Sequence, residues 1–378
     1  MKVVFLGAYF NHHQKPLSDA LNARCEYTYI ATTEIPEMRV KLGYRTDGEP
    51  DYVCRYRENP REAEAILETA DVIIAGSAPE HLVRQCVKRD QPVFRYAERP
   101  LKKGNQWHKY LPRFVKWHWQ NPFWKKIYML CASAYTASDY AKFGLFRNRA
   151  FRWGYFPEAE QYPDLERLME NKRSASLLWV GRYLDWKHPE DALQAVSRWK
   201  EDMPGLELKF IGAGEEEEKL RKMVSDLGLE ENVRFLGSMK PEEVRHHMEQ
   251  AWIFLFTSDR KEGWGAVVNE AMNSGCAVIA SDAAGSVPYL IRDDENGLIY
   301  RSGDVDAMSG QIGYLLRHPG KARQLGIEAY RTIMTMWNAD TAAERFLQLA
   351  EAALKGTDMN RLYDSGPCSP ASRRRHRK

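Results

Sequence analysis

The sequence predicts an α/β protein made of two parallel-sheet domains, and three observations lead to that prediction. Short apolar runs alternate with helical patterns through both halves of the chain, which is typical of parallel strands joined by crossover helices. The length of 378 residues corresponds to two domains at roughly 100–200 residues each. Hydrophobic residues make up 44% of the chain, which is enough for two cores and excludes disorder throughout.

In the first half, the apolar run VVFLGA at 3–8 predicts the opening strand. Pro16 favours the start of a helix after it, because the first helical turn does not need the N–H that proline lacks. Further strands are predicted at 28–31, 71–75 and 92–96, with a helix at 61–69. Charged residues and two prolines interrupt the alternation at 156–175, which predicts a linker between the domains.

The second half repeats the alternation of strands and helices. Strands are predicted at 176–182, 206–214, 233–237, 253–258 and 277–282, with helices after Pro189, at 216–227, from Pro241 and from Ala266. A strong amphipathic helix is predicted at 340–355, and the polar, Arg-rich chain after Gly356 predicts a disordered tail. The predicted organisation is therefore a domain at 1–155, a linker at 156–175, a domain at 176–335, a helix at 336–356 and a basic disordered tail at 357–378.

Charge and cysteine usage exclude several classes of protein. The 55 basic and 52 acidic residues give a net charge of +3, and five positive residues lie in the last six positions. The rest of the chain is not basic, so bulk charge does not favour a nucleic-acid partner. The six cysteines are scattered without C-x-x-C spacing, which predicts reduced thiols and no structural metal.

The chain also shows no pattern of membrane insertion or secretion. No apolar run approaches the about 18 residues that span a bilayer. The opening MKVVFLGAYF lacks the cleavage site of a secretory signal and is typical of a buried strand. We therefore expect a cytoplasmic protein.

The strongest local pattern is KEGWGAVVNEAMNSGCAVIASDAAG at 261–285. Glu262 and Glu270 are separated by seven residues, and Gly263 and Gly265 between them allow close approach of a ligand to the backbone. A helix beginning near Ala266 offers free N–H groups and a dipole that favour a bound phosphate. If Glu262 lies in the loop ahead of this helix, both carboxylates can point into one pocket.

This segment resembles the C-terminal domain of the family-four retaining glycosyltransferases, also described as glycosyl transferases group 1, which have the GT-B fold. The resemblance extends over about 176–340 and includes VGRYLDWKHPEDALQAV, FIGAGEEEEKLRKMVSDLGLEENVRFLGSMKPEEV and SDAAGSVPYLIRDDENGLIY. It implies two Rossmann-like domains facing a central cleft. It also implies that the segment MWNADTAAERFL, with Trp337, crosses back to the first domain.

The resemblance assigns roles to individual residues. Glu262 would contact the donor sugar, Glu270 the ribose of the nucleotide, and Arg182 and Lys187 the diphosphate. We take Glu262, Arg182 and Lys187 as catalytic candidates. The donor-binding candidates are Gly181, Arg182, Lys187, Glu262, Gly263, Trp264, Gly265, Ala266 and Glu270. The family implies retention of configuration through a front-face mechanism, in which the departing phosphate takes the acceptor's proton, with no metal and no other cofactor.

The first domain is expected to bind the acceptor, although its pattern is looser. His12 and His13 follow the first strand, and Glu98 and Arg99 follow the strand in PVFRYA. We treat these four as acceptor-side candidates, and the alternative is that they are surface or supporting residues. NHHQKPL, FRYAERP and CASAYTASDY resemble bacterial family members of cell-surface polysaccharide assembly.

The sequence departs from the family pattern at two places. Pro288 is followed by Tyr289 where the family often has glutamate, and the usual Gly-Gly after the first strand is absent from GAYFNHHQKP. The D-x-D match at Asp304 and Asp306, a metal signature of the other major glycosyltransferase fold, is interpreted here as a helix cap.

An aromatic and basic segment occupies 99–128, and no acidic residue occurs from 99 to 138. Aromatic rings beside cations suit the interface of an anionic membrane. The alternative is a helix whose tryptophans belong to the core and whose lysines are merely solvated. The first interpretation predicts a peripheral protein on the inner face of the cell membrane.

Together with these patterns, the family resemblance implies a retaining, hexosyltransferase-type enzyme. It would move a sugar from a nucleotide-sugar donor to a hydroxyl acceptor, a lipid-linked or growing cell-surface glycan, without a nucleic-acid partner. The alternatives are a nucleotide-sugar epimerase or phosphorylase of the same fold and a non-catalytic sugar-nucleotide-binding protein.

Overall fold

A computed structural model describes residues 1–37, 48–203 and 205–371. The chain divides into two units, one formed by Met1–Glu158 with the chain from Trp337 onward, the other by Ala159–Met336. The second unit therefore begins inside the predicted linker at 156–175. The reason is that the charged stretch at 165–170 forms a helix and the following strand starts at Arg173.

In the described part of the first unit, seven parallel strands form one sheet in the order β3-β2-β1-β4-β5-β6-β7. The strands are β1 Lys2–Gly7, β2 Glu26–Ala31, β3 Val53–Arg55, β4 Val72–Ala75, β5 Val93–Ala97, β6 Ile127–Cys131 and β7 Ala150–Arg152. The helices between them are α1 Lys15–Asn22, α2 Pro60–Thr69, α3 Glu80–Lys88, α4 Tyr110–Gln120 and α5 Thr136–Ala141. Strands β1 and β4 are apolar on both faces, as expected where helices cover both sides of a parallel sheet.

The second unit holds a parallel sheet of six strands in the order β10-β9-β8-β11-β12-β13. These are β8 Arg173–Val180, β9 Glu207–Ile211, β10 Val233–Phe235, β11 Ala251–Phe256, β12 Ala277–Ser281 and β13 Leu298–Tyr300. The helices are α6 Leu165–Glu170, α7 Pro189–Ser197, α8 Glu217–Asp226, α9 Pro241–Gln250, α10 Val267–Asn273, α11 Val287–Leu290, α12 Val305–Arg317 and α13 Pro319–Thr335. Helix α14, Ala339–Lys355, returns to the first unit, where it packs on α1.

Both sheets reverse their strand order at one point, between β1 and β4 in the first unit and between β8 and β11 in the second. Ligands of open parallel sheets bind beyond the carboxyl ends of the strands at such a reversal. The loops after β8 and β11 are therefore where the fold favours a site in the second unit. The loops after β1 and β4 hold the corresponding position in the first.

Local sequence explains several helix boundaries. Helices α7, α9 and α13 begin at Pro189, Pro241 and Pro319, where the missing N–H costs little. The Asp304 side chain accepts a hydrogen bond of 2.9 Å from the Ala307 N–H at the start of α12. This is a helix cap, which confirms the interpretation of the D-x-D match.

The chain after Gly356 differs from its prediction as a disordered tail. Met359, Cys368 and Ser369 are buried. The backbone continues the sheet edge, since Cys368 N–H donates to the Arg152 carbonyl and Arg152 N–H donates to that of Ser369. The polar composition does not indicate this packing, because the packing depends on a few backbone hydrogen bonds and on small buried side chains. The last seven residues, with their arginines, lie outside the described residues.

All six cysteines are free thiols. In the described ranges, no helix combines the length and the hydrophobicity that crossing a membrane requires.

Candidate functional site

A lysine–glutamate pair joins the two loops at the strand reversal of the second unit. Lys187 lies in the loop after β8, and Glu262 lies in the loop after β11. The Lys187 Nζ lies 2.5 Å from the Glu262 Oε2, and the two side chains are 15% and 17% exposed. Two residues 75 positions apart in sequence thus meet where the topology favours a ligand, and both remain accessible.

The backbone of Lys187 is tied to the end of β11. The Thr257 hydroxyl donates to the Lys187 carbonyl at 2.5 Å and accepts from the Trp179 indole N–H at 2.9 Å. Thr257 and Trp179 are both buried. The position of Lys187 is therefore fixed by two strands of the core rather than by its own loop alone.

The loop that carries Glu262 is held in the same way. Asp259 N–H donates to the Trp186 carbonyl at 2.8 Å, and Glu262 N–H donates to the Asp259 carbonyl at 3.1 Å. The Ser258 hydroxyl donates to the Glu262 Oε2 at 3.3 Å. One carboxylate oxygen thus receives both a lysine and a hydroxyl, which fixes the orientation of Glu262.

Arg182 and Gly181 occupy the turn directly after β8. Arg182 is exposed, and its side chain makes no hydrogen bond or ion pair with a residue in the described ranges. Beside it, the backbone after β8 lies very close to the backbone after β9. A Cβ built on Gly212 would lie only 1.9 Å from the Gly181 carbonyl oxygen. The turn thus presents a guanidinium next to bare backbone, an arrangement suited to a multiply charged anion.

The segment from Gly263 to Ala266 leads from Glu262 into α10. Gly265 has a φ of +88°, and a Cβ there would lie 2.4 Å from the Phe256 ring. Trp264 is 1% exposed, and its indole N–H donates to the Asn269 Oδ1 at 2.9 Å. The Trp264 side chain therefore belongs to the core, so Trp264 stays a donor-binding candidate through its backbone. Only its backbone borders the loop.

Glu270 lies one turn inside α10. Burial raises the pKa of the Glu270 carboxyl, with an opposing influence from Arg245. The Glu270 side chain accepts no hydrogen bond from a residue in the described ranges. A partly buried carboxylate without such a partner costs stability, and this is typical of a group that serves a ligand.

His188, Glu190 and Asp191 offer possible metal-ligand atoms that lie within 4.8 Å of one another. The His188 Nδ1 lies 3.5 Å from the Glu190 carboxylate, and its Nε2 lies 3.7 Å from that of Asp259. The hydrogen bond to Glu190 raises the pKa of His188 against the effect of burial. His188 therefore lies between the carboxylates of Glu190 and Asp259, which favour its charged form.

In the first unit, His12 and His13 follow β1 at the strand reversal, as predicted from their position. The His13 N–H donates to the buried Asn11 Oδ1 at 2.9 Å, and the two imidazole rings lie 4.0 Å apart. Partial burial lowers the pKa of His12. His12 is nonetheless exposed to solvent.

Glu98 and Arg99, at the end of β5, have different environments. Glu98 is ion-paired with Lys102 and accepts a hydrogen bond of 3.0 Å from the Tyr155 hydroxyl. Arg99 is buried, and its Nε lies 3.4 Å from the Asp139 carboxylate, which is buried with it. Arg99 therefore supports the local structure and does not present its side chain to an acceptor, contrary to the sequence-based prediction.

Sequence reasoning missed three residues that position the site: Thr257, Ser258 and Asp259. They directly follow the apolar run IFLF, so the available signal was polar residues at the carboxyl end of a strand. The hydrogen bond of Thr257 to Lys187 could not be foreseen, since it depends on β8 and β11 being neighbours.

Comparison with known proteins gives a family match for most of the second unit. Residues 164–332 match the family described as Glycosyl transferases group 1. A GDP-mannose-dependent phosphatidylinositol monomannoside mannosyltransferase of Mycolicibacterium smegmatis is 28% identical over 176 residues, which are 45% of this chain and 46% of that protein. The lipopolysaccharide core biosynthesis glycosyltransferase LpsE of Rhizobium meliloti is 27% identical over 170 residues, 45% of this chain and 48% of its own. These matches thus cover about half the length of the curated relatives.

Solved structures resemble the chain over more of its length. The Anabaena protein HepE in complex with UDP has a TM-score of 0.69 at 15% identity, covering 93% of this chain and all of that one. The lipopolysaccharide outer core galactosyltransferase WaaB has a TM-score of 0.66 at 17% identity, covering 94% of this chain and 99% of its own. The predicted GT-B fold and the resemblance to glycosyl transferases group 1 are confirmed.

Proposed function

We propose that this chain, a GT-B protein whose residues 164–332 match glycosyl transferases group 1, moves a sugar from a nucleotide-sugar donor to a hydroxyl acceptor. The observation that carries the proposal is the Lys187–Glu262 pair at the strand reversal of the second unit. The pair places a cation that can bind a phosphate beside a carboxylate that can bind sugar hydroxyls. Both residues follow the ends of core strands. HepE, which resembles the chain in fold, was solved with UDP.

Arg182 and Lys187 would stabilise the departing diphosphate. Breaking the bond between a sugar and a diphosphate places negative charge on the leaving phosphate. Fixed cations around that charge lower the barrier more than mobile water does. Two such cations are present, the exposed Arg182 and Lys187, whose backbone is fixed by hydrogen bonds. The proposed reaction therefore requires no metal ion.

Glu262 would change partners during the reaction. In the structure its Oε2 is occupied by Lys187 and Ser258. A bound diphosphate would compete for the Lys187 ammonium, and Glu262 would then accept hydrogen bonds from the donor sugar in place of that from Lys187. Glu270, partly buried and without a hydrogen-bonding partner in the described ranges, would accept hydrogen bonds from the ribose hydroxyls.

The finer features of the reaction follow from the family resemblance. We propose retention of configuration, with the departing phosphate taking the acceptor's proton, so that no residue is assigned as a base. His12, His13 and Glu98 of the first unit are the acceptor-side candidates. The acceptor would be a lipid-linked or growing cell-surface glycan, met at the cytoplasmic face of the cell membrane.

The first test is a thermal-shift screen with UDP, GDP and their sugars. A ligand that binds only the folded chain stabilises it by about 2.7 kcal/mol at 100 times its Kd. We expect a selective shift with one nucleotide. Transfer of the matching radiolabelled sugar to membrane-extracted glycolipids then tests catalysis.

The roles are tested by comparing Lys187→Met with Lys261→Met. Lys261 lies next to Glu262 in sequence, is more exposed and pairs with Asp185 instead. We expect Lys187→Met to lower kcat by about 100-fold or more and Lys261→Met to leave it near that of the parent. Equal activity of all three proteins would refute the assignment. Conversion of the donor without any acceptor would identify an epimerase, and nucleotide binding without turnover a non-catalytic binding protein.

A further inference from the structure

The aromatic and basic segment carries an exposed apolar surface centred on α4, and none of the residues of α4 is buried. Leu111, Val115 and Trp119 are 68%, 61% and 57% exposed. Residues four apart advance about 40° around a helix, so these three form one stripe. Further exposed aromatics lie just before and after the helix, at Trp107 with 87% exposure and at Phe123 and Trp124 with 78% and 70%. We call these six residues the aromatic patch.

The opposite side of α4 is packed, which holds the patch in place. The Trp117 ring lies 4.6 Å from that of Phe143 and 4.9 Å from that of Tyr140. The Tyr110 ring stacks on Phe143 at 4.7 Å. Only Trp117 of the segment's helix thus fits the alternative of core tryptophans. The stripe of Leu111, Val115 and Trp119 is thus the outward face of an anchored helix.

The charges around the patch have one sign. Lys103, Lys109 and Lys116 are exposed and make no ion pair with a residue in the described ranges. The acidic groups near the ends of the segment are engaged, Asp90 by Lys125 and Lys126 and Glu98 by Lys102. The aromatic patch and the three lysines around it therefore present apolar side chains and ammonium groups together, with no carboxylate among them.

We propose that the aromatic patch docks this protein on an anionic lipid bilayer. Tryptophan and lysine side chains are suited to the bilayer interface, where the apolar part enters the lipid and the ammonium stays among headgroups. Each lysine near an anionic leaflet strengthens binding about fivefold. Protein–protein interfaces are instead depleted in lysine. The surface stands on its own exposure and charge and does not depend on the proposed sugar transfer.

The experiment is co-flotation of the full chain with vesicles. One set contains phosphatidylcholine alone, and the other contains phosphatidylcholine mixed with phosphatidylglycerol. We expect binding to the anionic vesicles at low salt, weaker binding at high salt, and little binding to the neutral vesicles. Failure to bind anionic vesicles at low salt, or equal binding to both sets, would overturn the proposal.

Two pairs of variants separate the apolar and the charged contributions. We expect Leu111→Ser with Val115→Ser to weaken vesicle binding about tenfold or more. We expect Lys109→Gln with Lys116→Gln to weaken it about 30-fold and to reduce its salt dependence. The matched controls are Leu354→Ser with Tyr314→Ser, both 40% exposed in the parent, and Lys222→Gln with Lys240→Gln.

Thermal unfolding checks that each variant is folded. If the serine pair does not fold, the lysine pair still tests the proposal. Vesicle binding that none of the patch variants changes would overturn the proposal. So would a serine variant that turns a dimer into a monomer in sedimentation without affecting vesicle binding. That result would assign the patch to a second copy of the chain.

Discussion

At the scale of single residues, the site depends on side chains whose surroundings differ despite similar chemistry. Glu262 is satisfied by Lys187 and Ser258, whereas Glu270 is held partly buried on α10 without a hydrogen bond from the described residues. The spacing of the two glutamates was visible in the sequence, but their environments were not. Arg99 shows the same limit, since its place after a strand made it an acceptor-side candidate, whereas its pairing with Asp139 buries it. Side-chain direction depends on neighbours that are distant in sequence.

The raised pKa of Glu270 leads to a prediction about pH and stability. Its carboxylate is disfavoured in the fold, so the cost is present above its folded pKa and disappears below the unfolded value of 4.5. We expect Glu270→Gln to raise the Tm at neutral pH and the difference to vanish below pH 4.5. The same change should weaken nucleotide binding about tenfold, because a charged hydrogen-bond acceptor is lost.

Thermal unfolding over a pH series and nucleotide titration measure the two effects. Glu201→Gln is the matched control, because the Glu201 side chain is 86% exposed and its carboxylate therefore carries no cost of burial. A lower Tm for Glu270→Gln at neutral pH would contradict the assignment of Glu270 to a ligand rather than to the fold.

At the scale of elements, periodicity found most strands and helices, but it missed several short strands and the long helix α13. Strands β3 and β7 have three residues each, too few for an alternation to show. Strand β6 begins at Ile127, inside the aromatic and basic segment, where neighbouring apolar residues obscure the start of a strand pattern. Helix α6 was assigned to the linker because its sequence LERLME is largely charged, although Leu168 and Met169 are buried. Such elements exist because the sheet and its covering helices provide partners that the local sequence does not reveal.

Two glycines of helix α12 allow the effect of side-chain packing to be compared with the effect of helix propensity. Gly310 has open space around its Cα, whereas a Cβ on Gly313 would lie 2.0 Å from the Trp199 ring. We expect Gly310→Ala to stabilise the second unit by about 0.5–1 kcal/mol through helix propensity. We expect Gly313→Ala to destabilise it by about 1–3 kcal/mol through overpacking.

Denaturant unfolding of the two variants beside the parent measures both changes. Equal effects of the two substitutions would show that the Trp199 ring moves aside without loss of stability. The description of α12 as tightly packed on this ring would then be wrong.

At the scale of the whole molecule, composition and topology predicted the class of fold but not its boundaries. The alternation of strands and helices was sufficient for two parallel sheets. The order of strands, and hence the meeting of β8 and β11, came from the structure. The chain after Gly356 was expected to be disordered because polar residues dominate it, yet Cys368 and Ser369 pack fully buried along β7.

That packing predicts opposite outcomes for two truncations. A chain ending at Gly356 loses the buried Cys368 and the backbone bonds to Arg152, so we expect its Tm to fall by about 3 °C or more, the effect of about 1 kcal/mol. A chain ending at Ala371 keeps them, and its Tm should equal that of the full chain. Thermal unfolding of both proteins decides, and an unchanged Tm for the shorter one would mean that 357–371 does not stabilise the fold.

The return of the chain to the first unit at Trp337 has a consequence for synthesis. The first unit is encoded in two separated pieces, and its helix α14 packs on α1 near the opposite end of the chain. A nascent chain leaving the ribosome therefore holds an incomplete first unit while all of Ala159–Met336 is being translated. During that interval the surface that α14 will cover is open to chaperones, and the second unit, continuous in sequence, is the first that can finish folding.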